Sequence, residues 1–165
     1  MQDIVNYLDS FLIKDYMFVE KKMKTILHTS LTILLALFFI YKGIDKIPIK
    51  LKTVNKQEII STIIENNSYE APVGYKITMN TMRQSGFLRF ISVFQILAGL
   101  LMIIPKTRLI GLLLLLPIIF NIFFMHVFFD NRIDENILTG SILLLNVILC
   151  TYYYQNISSL ILKKE

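Results

Sequence analysis

The chain has 165 residues, of which 55% are hydrophobic and 18% charged, against about 25% charged in ordinary soluble domains. Its apolar residues lie in blocks too long and too pure for a water-soluble core, which excludes a typical soluble enzyme, a disordered chain and a collagen-like chain and places the protein in a lipid bilayer. The formal net charge of +5, from 17 basic and 12 acidic residues, suits an anionic lipid surface better than nucleic acid, because the basic residues are scattered and form no stripe.

In chain order, residues 1–24 come first. They lack the basic start, compact apolar run and small-residue cleavage site of a signal peptide. Ile4, Tyr7, Leu8, Phe11, Leu12 and Val19 recur instead at spacings of three, four or seven, which predicts an amphipathic helix, either at the membrane interface or packed in the cytosol on the bundle ends. A spanning helix needs about 20 mostly apolar residues at about 1.5 Å rise per residue. Ile26 to Tyr41, extended through Gly43 to Ile47, supplies the first, despite opening with His28, Thr29 and Ser30.

The stretch from Lys50 to Ser85 reads as a long loop carrying a short amphipathic helix, Gln57 to Ile64, and then the turn-rich Asn66-Asn67-Ser68 and Ala71-Pro72-Val73-Gly74. Three further spans follow: Phe87 to Ile104, Leu109 to Phe129 and Ile137 to Tyr154. The short connections Pro105 to Arg108 and Asp130 to Asn136 make consecutive spans antiparallel neighbours. The expected fold is thus an all-α transmembrane four-helix bundle over 25–162, with spans at about 25–47, 86–104, 107–130 and 136–155, a loop at 48–85 and an N-terminal amphipathic segment at 1–24.

Polar side chains at membrane depth turn inward to find hydrogen-bond partners. The three-to-four repeats Thr25, Thr29, Thr32, Ala36, Phe39, Gly43, Lys46 and Ser85, Arg89, Ser92, Gln95, Gly99 mark inner faces, as does Asn136, Thr139, Leu143, Asn146, Cys150. Gln95, Asn121 and Asn146 fall about 14 Å in from the loop side at helical rise, which predicts one polar layer near mid-membrane. That layer either packs the helices or contacts a bound molecule.

A second cluster is expected at the loop-side face, where Lys42, Asp45, Lys46, Arg83, Arg89, His126 and Asp130 gather. His126 and Asp130 are four residues apart and share a helix face, so the carboxylate can fix the imidazole tautomer for a proton relay or merely stabilise its own helix. His126 lies about 140° around the helix from Asn121, too far for one narrow site. Pro117 removes an amide donor and crowds the carbonyl of Leu113, which predicts a bend whose freed carbonyl Asn121 or a neighbouring helix can satisfy. Tyr152, Tyr153 and Tyr154 form an interfacial aromatic belt. A lone cysteine, Cys150, and two histidines, His28 and His126, provide no disulfide or thiol-exchange pair within the chain and no cysteine or all-histidine metal site, which leaves only a mixed one.

Three segments resemble the DoxX-like family of bacterial four-helix membrane proteins, over about Ile26 to Tyr154. They are Phe39-Ile40-Tyr41-Lys42-Gly43-Ile44-Asp45-Lys46-Ile47, Gln95-Ile96-Leu97-Ala98-Gly99-Leu100-Leu101, and Pro117 to His126. The resemblance implies a multi-pass protein of the bacterial cytoplasmic membrane associated with redox systems such as quinone-coupled sulfur oxidation or oxidative-stress complexes. The cysteine pairs that mark one redox-associated branch are missing from this sequence.

Two functions are therefore expected. The first is a membrane subunit or accessory of a redox system, binding a quinone or another apolar molecule, with Gln95, Asn121 and Asn146 as polar contacts and His126, Asp130 and Lys46 handling protons. The second is an assembly protein that recruits a membrane or periplasmic redox partner, or a second copy of itself, through residues 48–85. A transporter fits less well, since the chain shows no inverted repeat. Basic residues divide eight on the terminus side and nine on the loop side, so the total gives no orientation. The density of lysines beside the outer spans, Lys21, Lys22, Lys24, Lys163 and Lys164, points to cytoplasmic termini.

Overall fold

The computed structural model describes residues 2–51 and 71–161, with side chains for 16–47 and 71–159. The described residues are helical throughout apart from short connections: α1 is Gln2–Leu51, α2 Val73–Gln84, α3 Phe87–Ile103, α4 Arg108–Met125, α5 Ile133–Thr151 and α6 Tyr154–Ile161, with a single wide turn of π-helix, His126–Asp130, continuing α4. Three helical stretches, Tyr16–Ile47, Arg108–Asp130 and Ile133–Thr151, are long and apolar enough to cross a membrane. The bent pair Val73–Gln84 and Phe87–Ile103 makes a fourth if counted as one span. This is the make-up of a multi-pass helical membrane protein.

The exposed surface carries the same signature. Leu34, Leu37, Phe90, Val93, Leu97, Ile110, Leu113, Phe120, Leu138, Leu144 and Ile148 all point outward, a pattern that water would penalise and acyl chains accept. The centre is the small set Leu35, Ala36, Phe39, Ala98, Met102, Leu112, Leu115, Ile119, Leu149 and Cys150. Interior and exterior are therefore nearly equally apolar, and helix contacts depend on close fit rather than on hydrophobic contrast.

That fit is made at glycines. A Cβ on Gly43 would lie 2.7 Å from Ile96 Cγ1 and 3.0 Å from the Ser92 carbonyl oxygen, and one on Gly99 would lie 2.6 Å from Ile40 Cγ1 and 2.9 Å from the Ala36 oxygen. The two glycines thus seat α1 and α3 against each other from opposite sides. Gly111 does the same for α3 and α4, where a Cβ would meet Ala98 O and Met102 Cγ at 2.7 Å.

The structure departs from the sequence expectations at four places. Residues 2–51 form one uninterrupted helix, with no break near residue 24 to set off a separate N-terminal element. At about 1.5 Å per residue its apolar part alone, 32 residues, is near 48 Å long, more than the roughly 30 Å of hydrocarbon. Second, the later part of the expected 48–85 loop is helical: Pro72 stands at the N-cap with φ −52° and Val73–Gln84 follow as α2. Proline with its fixed φ favours helix starts, so Ala71-Pro72-Val73-Gly74 opens a helix in place of the expected turn. The expected helix at 57–64 lies outside the described residues. Third, α5 begins at Ile133 and ends at Thr151, earlier than the expected 136–155. Asp134 and Glu135 occupy its first turn, where negative charge meets the positive end of the helix dipole. Fourth, α3 has only 17 residues and reaches spanning length only when counted together with α2; Pro117 lies inside α4.

Candidate functional site

Four elements meet around one cavity of about 570 Å³ at the loop-side end of the bundle, within the roughly 300–1,000 Å³ range of small-molecule sites. Its position follows from the bend between α2 and α3. The turn at Ser85 and Gly86, where Gly86 takes the left-handed φ of 78°, reorients the chain by 76°. A side chain at that φ would be strained. As a result α2 runs across the end of α3 instead of extending it, and Tyr75, Met79, Met82 and Arg83 face the space beside α3 and α4. The remaining wall is Phe87, Leu88, Phe90, Ile91 and Phe94 of α3, then Leu114, Pro117, Ile118, Asn121, Ile122 and Met125 of α4, with Lys46 and His126 completing it. Phe87, Phe90, Pro117 and Asn121 of this wall are exposed, so the cavity is open along them and not sealed within the bundle.

His126 and Asp130 are brought together as their spacing requires: Nδ1 donates to Oδ2 at 3.2 Å, and the Asp130 side chain is only 3% exposed. The intervening chain is a π-turn closed by Asn131 N–H to His126 O at 2.6 Å, with Asn131 in the left-handed region at φ 53°, a conformation asparagine adopts more readily than most residues. Arg132 Nε donates to the same Asp130 oxygen at 3.2 Å, and its other end pairs with Glu135. Desolvation works against the Arg132 charge, but the carboxylates of Asp134, Glu135 and Asp130 outweigh it and hold the guanidinium pKa above its ordinary value. The Tyr75 ring lies 6.0 Å from the His126 ring, centre to centre. The cavity wall is thereby linked to the loop-side surface through Tyr75, His126, Asp130, Arg132 and Glu135.

The expected mid-membrane amide layer is only partly present. Gln95 and Asn146 are fully buried. Lys46 Nζ donates to Gln95 Oε1 at 3.3 Å, and Asn146 Oδ1 accepts from Cys150 Sγ at 3.6 Å. The Gln95 Nε2 and Asn146 Nδ2 groups have no acceptor among the described residues, which is costly for buried donors. Asn121, expected in the same layer, is exposed and bonds back to Pro117 O at 2.9 Å. An amide satisfied by its own helix has no need of a neighbour, and its partner is Pro117 O, not the Leu113 carbonyl. Asn121 and His126 nevertheless line the same cavity, because that cavity is broad enough to span their angular separation. Arg89 is exposed and is not part of the wall. Gly43 and Gly99 hold α1 and α3 together, as described above, and Pro117 contributes part of the exposed wall.

Sequence reasoning missed the α2 contribution, although Tyr75, Met79 and Met82 are spaced four and three apart and so share a helical face. It also missed a polar cluster at the other end of the bundle. There Arg108 is 7% exposed, with Nε donating to Met102 O at 3.1 Å and an Nη donating to Thr29 Oγ1 at 3.1 Å. His28 stacks on Tyr152 at 4.0 Å and donates through Nε2 to Leu149 O at 3.2 Å, which ties α1 to α5. The recognisable signal is that His28 keeps the three-to-four step of Thr25, Thr32 and Ala36. Among the described residues no group of three or more His, Cys, Asp or Glu side chains is placed to hold a metal ion.

Comparison of the chain with protein-family models, with curated proteins and with solved structures finds no match in any of the three.

Proposed function

We propose that this multi-pass membrane protein takes an apolar small molecule from the bilayer into the loop-side cavity, as a membrane subunit or accessory of a redox-associated system. The observation that carries the reading is the open, apolar cavity itself. It is apolar over most of its wall, with a few convergent polar groups in Lys46, Arg83, Tyr75 and His126, the usual make-up of a site that buries a hydrophobic body and orients a polar end. His126, held through Nδ1 by the Asp130 carboxylate, is the wall group best placed to exchange a proton with an occupant. The redox setting and the bacterial cytoplasmic membrane come from the resemblance to the DoxX-like family, and a quinone is the occupant that setting implies. With cytoplasmic termini, the cavity belongs to the outer half of the membrane.

The chain contains no tryptophan, so a Phe94→Trp variant carries one reporter in the cavity wall. Decylubiquinone added to this variant in liposomes is expected to quench the indole along a saturating curve. Trp at Leu138, exposed on α5 and outside the cavity, should be quenched in linear proportion to the quinone in the bilayer. Linear quenching at both positions would remove the binding reading.

A further inference from the structure

The charge around the cavity is one-sided. Among the described residues that line it, the two that carry a formal charge, Lys46 and Arg83, are both cations, and none is Asp or Glu. Of the nearby carboxylates, Asp130 and Glu135 are engaged by Arg132 on the far side of His126, and Asp45, beside Lys46 in the chain, is exposed and outside the wall. Lys46 meets the neutral amide oxygen of Gln95 at 3.3 Å and makes no ion pair among the described residues. Arg83 Nε is shielded from solvent and has no acceptor among the described residues. Arg108, the other inward-facing arginine, differs in this respect: its guanidinium is spent on Met102 O and Thr29 Oγ1, which join helices. A cation beside an apolar wall is stabilised by an anion that brings its own hydrogen-bond acceptors.

We propose that the cavity holds an amphiphile with an acidic head, a carboxylate or phosphate oxygen accepting from Lys46 and Arg83 while the tail lies along Phe90, Phe94 and Ile118 and leaves along the exposed part of the wall. This rests on the proposed uptake of an apolar molecule and adds the charge of its head group. Lys46 comes from α1 and Arg83 from the last turn of α2, so the anion would bridge two elements. The Tyr75 hydroxyl, on the same wall, offers a further neutral donor to the head.

The test is competition binding of tritiated oleate to the full-length purified protein in a neutral detergent, with oleyl alcohol, dioleoylphosphatidic acid and decylubiquinone as competitors. Oleate is expected to bind at least about tenfold more tightly than oleyl alcohol, a factor equal to about 1.4 kcal/mol. In the Lys46→Gln, Arg83→Gln double variant that preference should collapse while alcohol binding is retained, which also reports that the bundle has folded. Each single variant should lose part of the preference. Phosphatidic acid outcompeting oleate would assign the head to a lipid phosphate, and the reverse would assign it to a free fatty acid; both support an acidic head. Equal binding of acid and alcohol by the unaltered protein, or a preference that survives the double variant, would overturn the acidic head and leave the cavity as a neutral-ligand site. Failure of all four compounds to bind would overturn the cavity reading as well.

Discussion

Gly111→Ala is expected to destabilise the protein by about 1–3 kcal/mol, the usual range for forcing an extra methyl into a filled contact, and Gly111→Leu is expected to prevent recovery of a folded bundle. A Cβ at this position would come within 2.8 Å of the Met102 backbone nitrogen and 2.7 Å of the Ala98 oxygen. Backbone atoms cannot rotate away as a side-chain end can, so α3 and α4 must separate. Two other glycines serve as controls. At Gly140 the nearest atom is a ring carbon of Phe123 at 3.0 Å, and a small ring movement accommodates a methyl. Gly74 has nothing within 4 Å, and alanine there should stabilise α2 by roughly 0.5–1 kcal/mol through backbone entropy. The lone buried thiol of Cys150 supplies the readout, because a thiol-reactive dye labels it only on unfolding. A melting series in detergent should place Gly111→Ala lowest, Gly140→Ala near the unaltered protein and Gly74→Ala at or above it.

Arg108→Met should cost about 2 kcal/mol, since a buried hydrogen bond from a charged donor contributes roughly 1.5–3 kcal/mol. The methionine keeps the volume of the aliphatic stem but leaves Met102 O, at the end of α3, without this donor, and frees Thr29 on α1. Arg108→Lys should recover part of the loss, because a single ammonium cannot reproduce the fork that reaches Met102 O and Thr29 Oγ1 together. The same dye-based melting curve measures both variants. If Arg108→Met melts with the unaltered protein, the guanidinium is not joining these helices.

The all-helical, multi-pass make-up was legible because blocks such as Arg108–Met125 have no soluble alternative at their length and composition. Gly43 and Gly99 were also legible, since a small residue in a three-to-four repeat marks a close helix crossing. The cavity was not. It depends on the 76° bend at Ser85 and Gly86, and the sequence between Lys50 and Ser85 contains too few apolar residues to show which segment turns back over the bundle. Asn121 illustrates a second limit. Depth along a helix can be counted from the sequence, but an asparagine that bonds to the carbonyl four residues earlier satisfies itself and can face outward. Arg108 illustrates a third: beside Pro105 and Lys106 it reads as a turn residue, while its long stem lets the charge fold back onto Met102 O.

Uptake of an apolar molecule from the bilayer requires the loop-side cavity to be reached from the acyl chains rather than from water. Phe94→Trp, the same cavity-wall reporter, tests this directly when the protein is placed in bilayers whose lipids carry bromine on their acyl chains. Strong quenching by brominated lipid together with silence toward aqueous iodide is the result expected from the exposed rim at Phe87, Phe90, Pro117 and Asn121. Quenching by iodide with no response to brominated lipid would show a water-filled site and contradict the proposal.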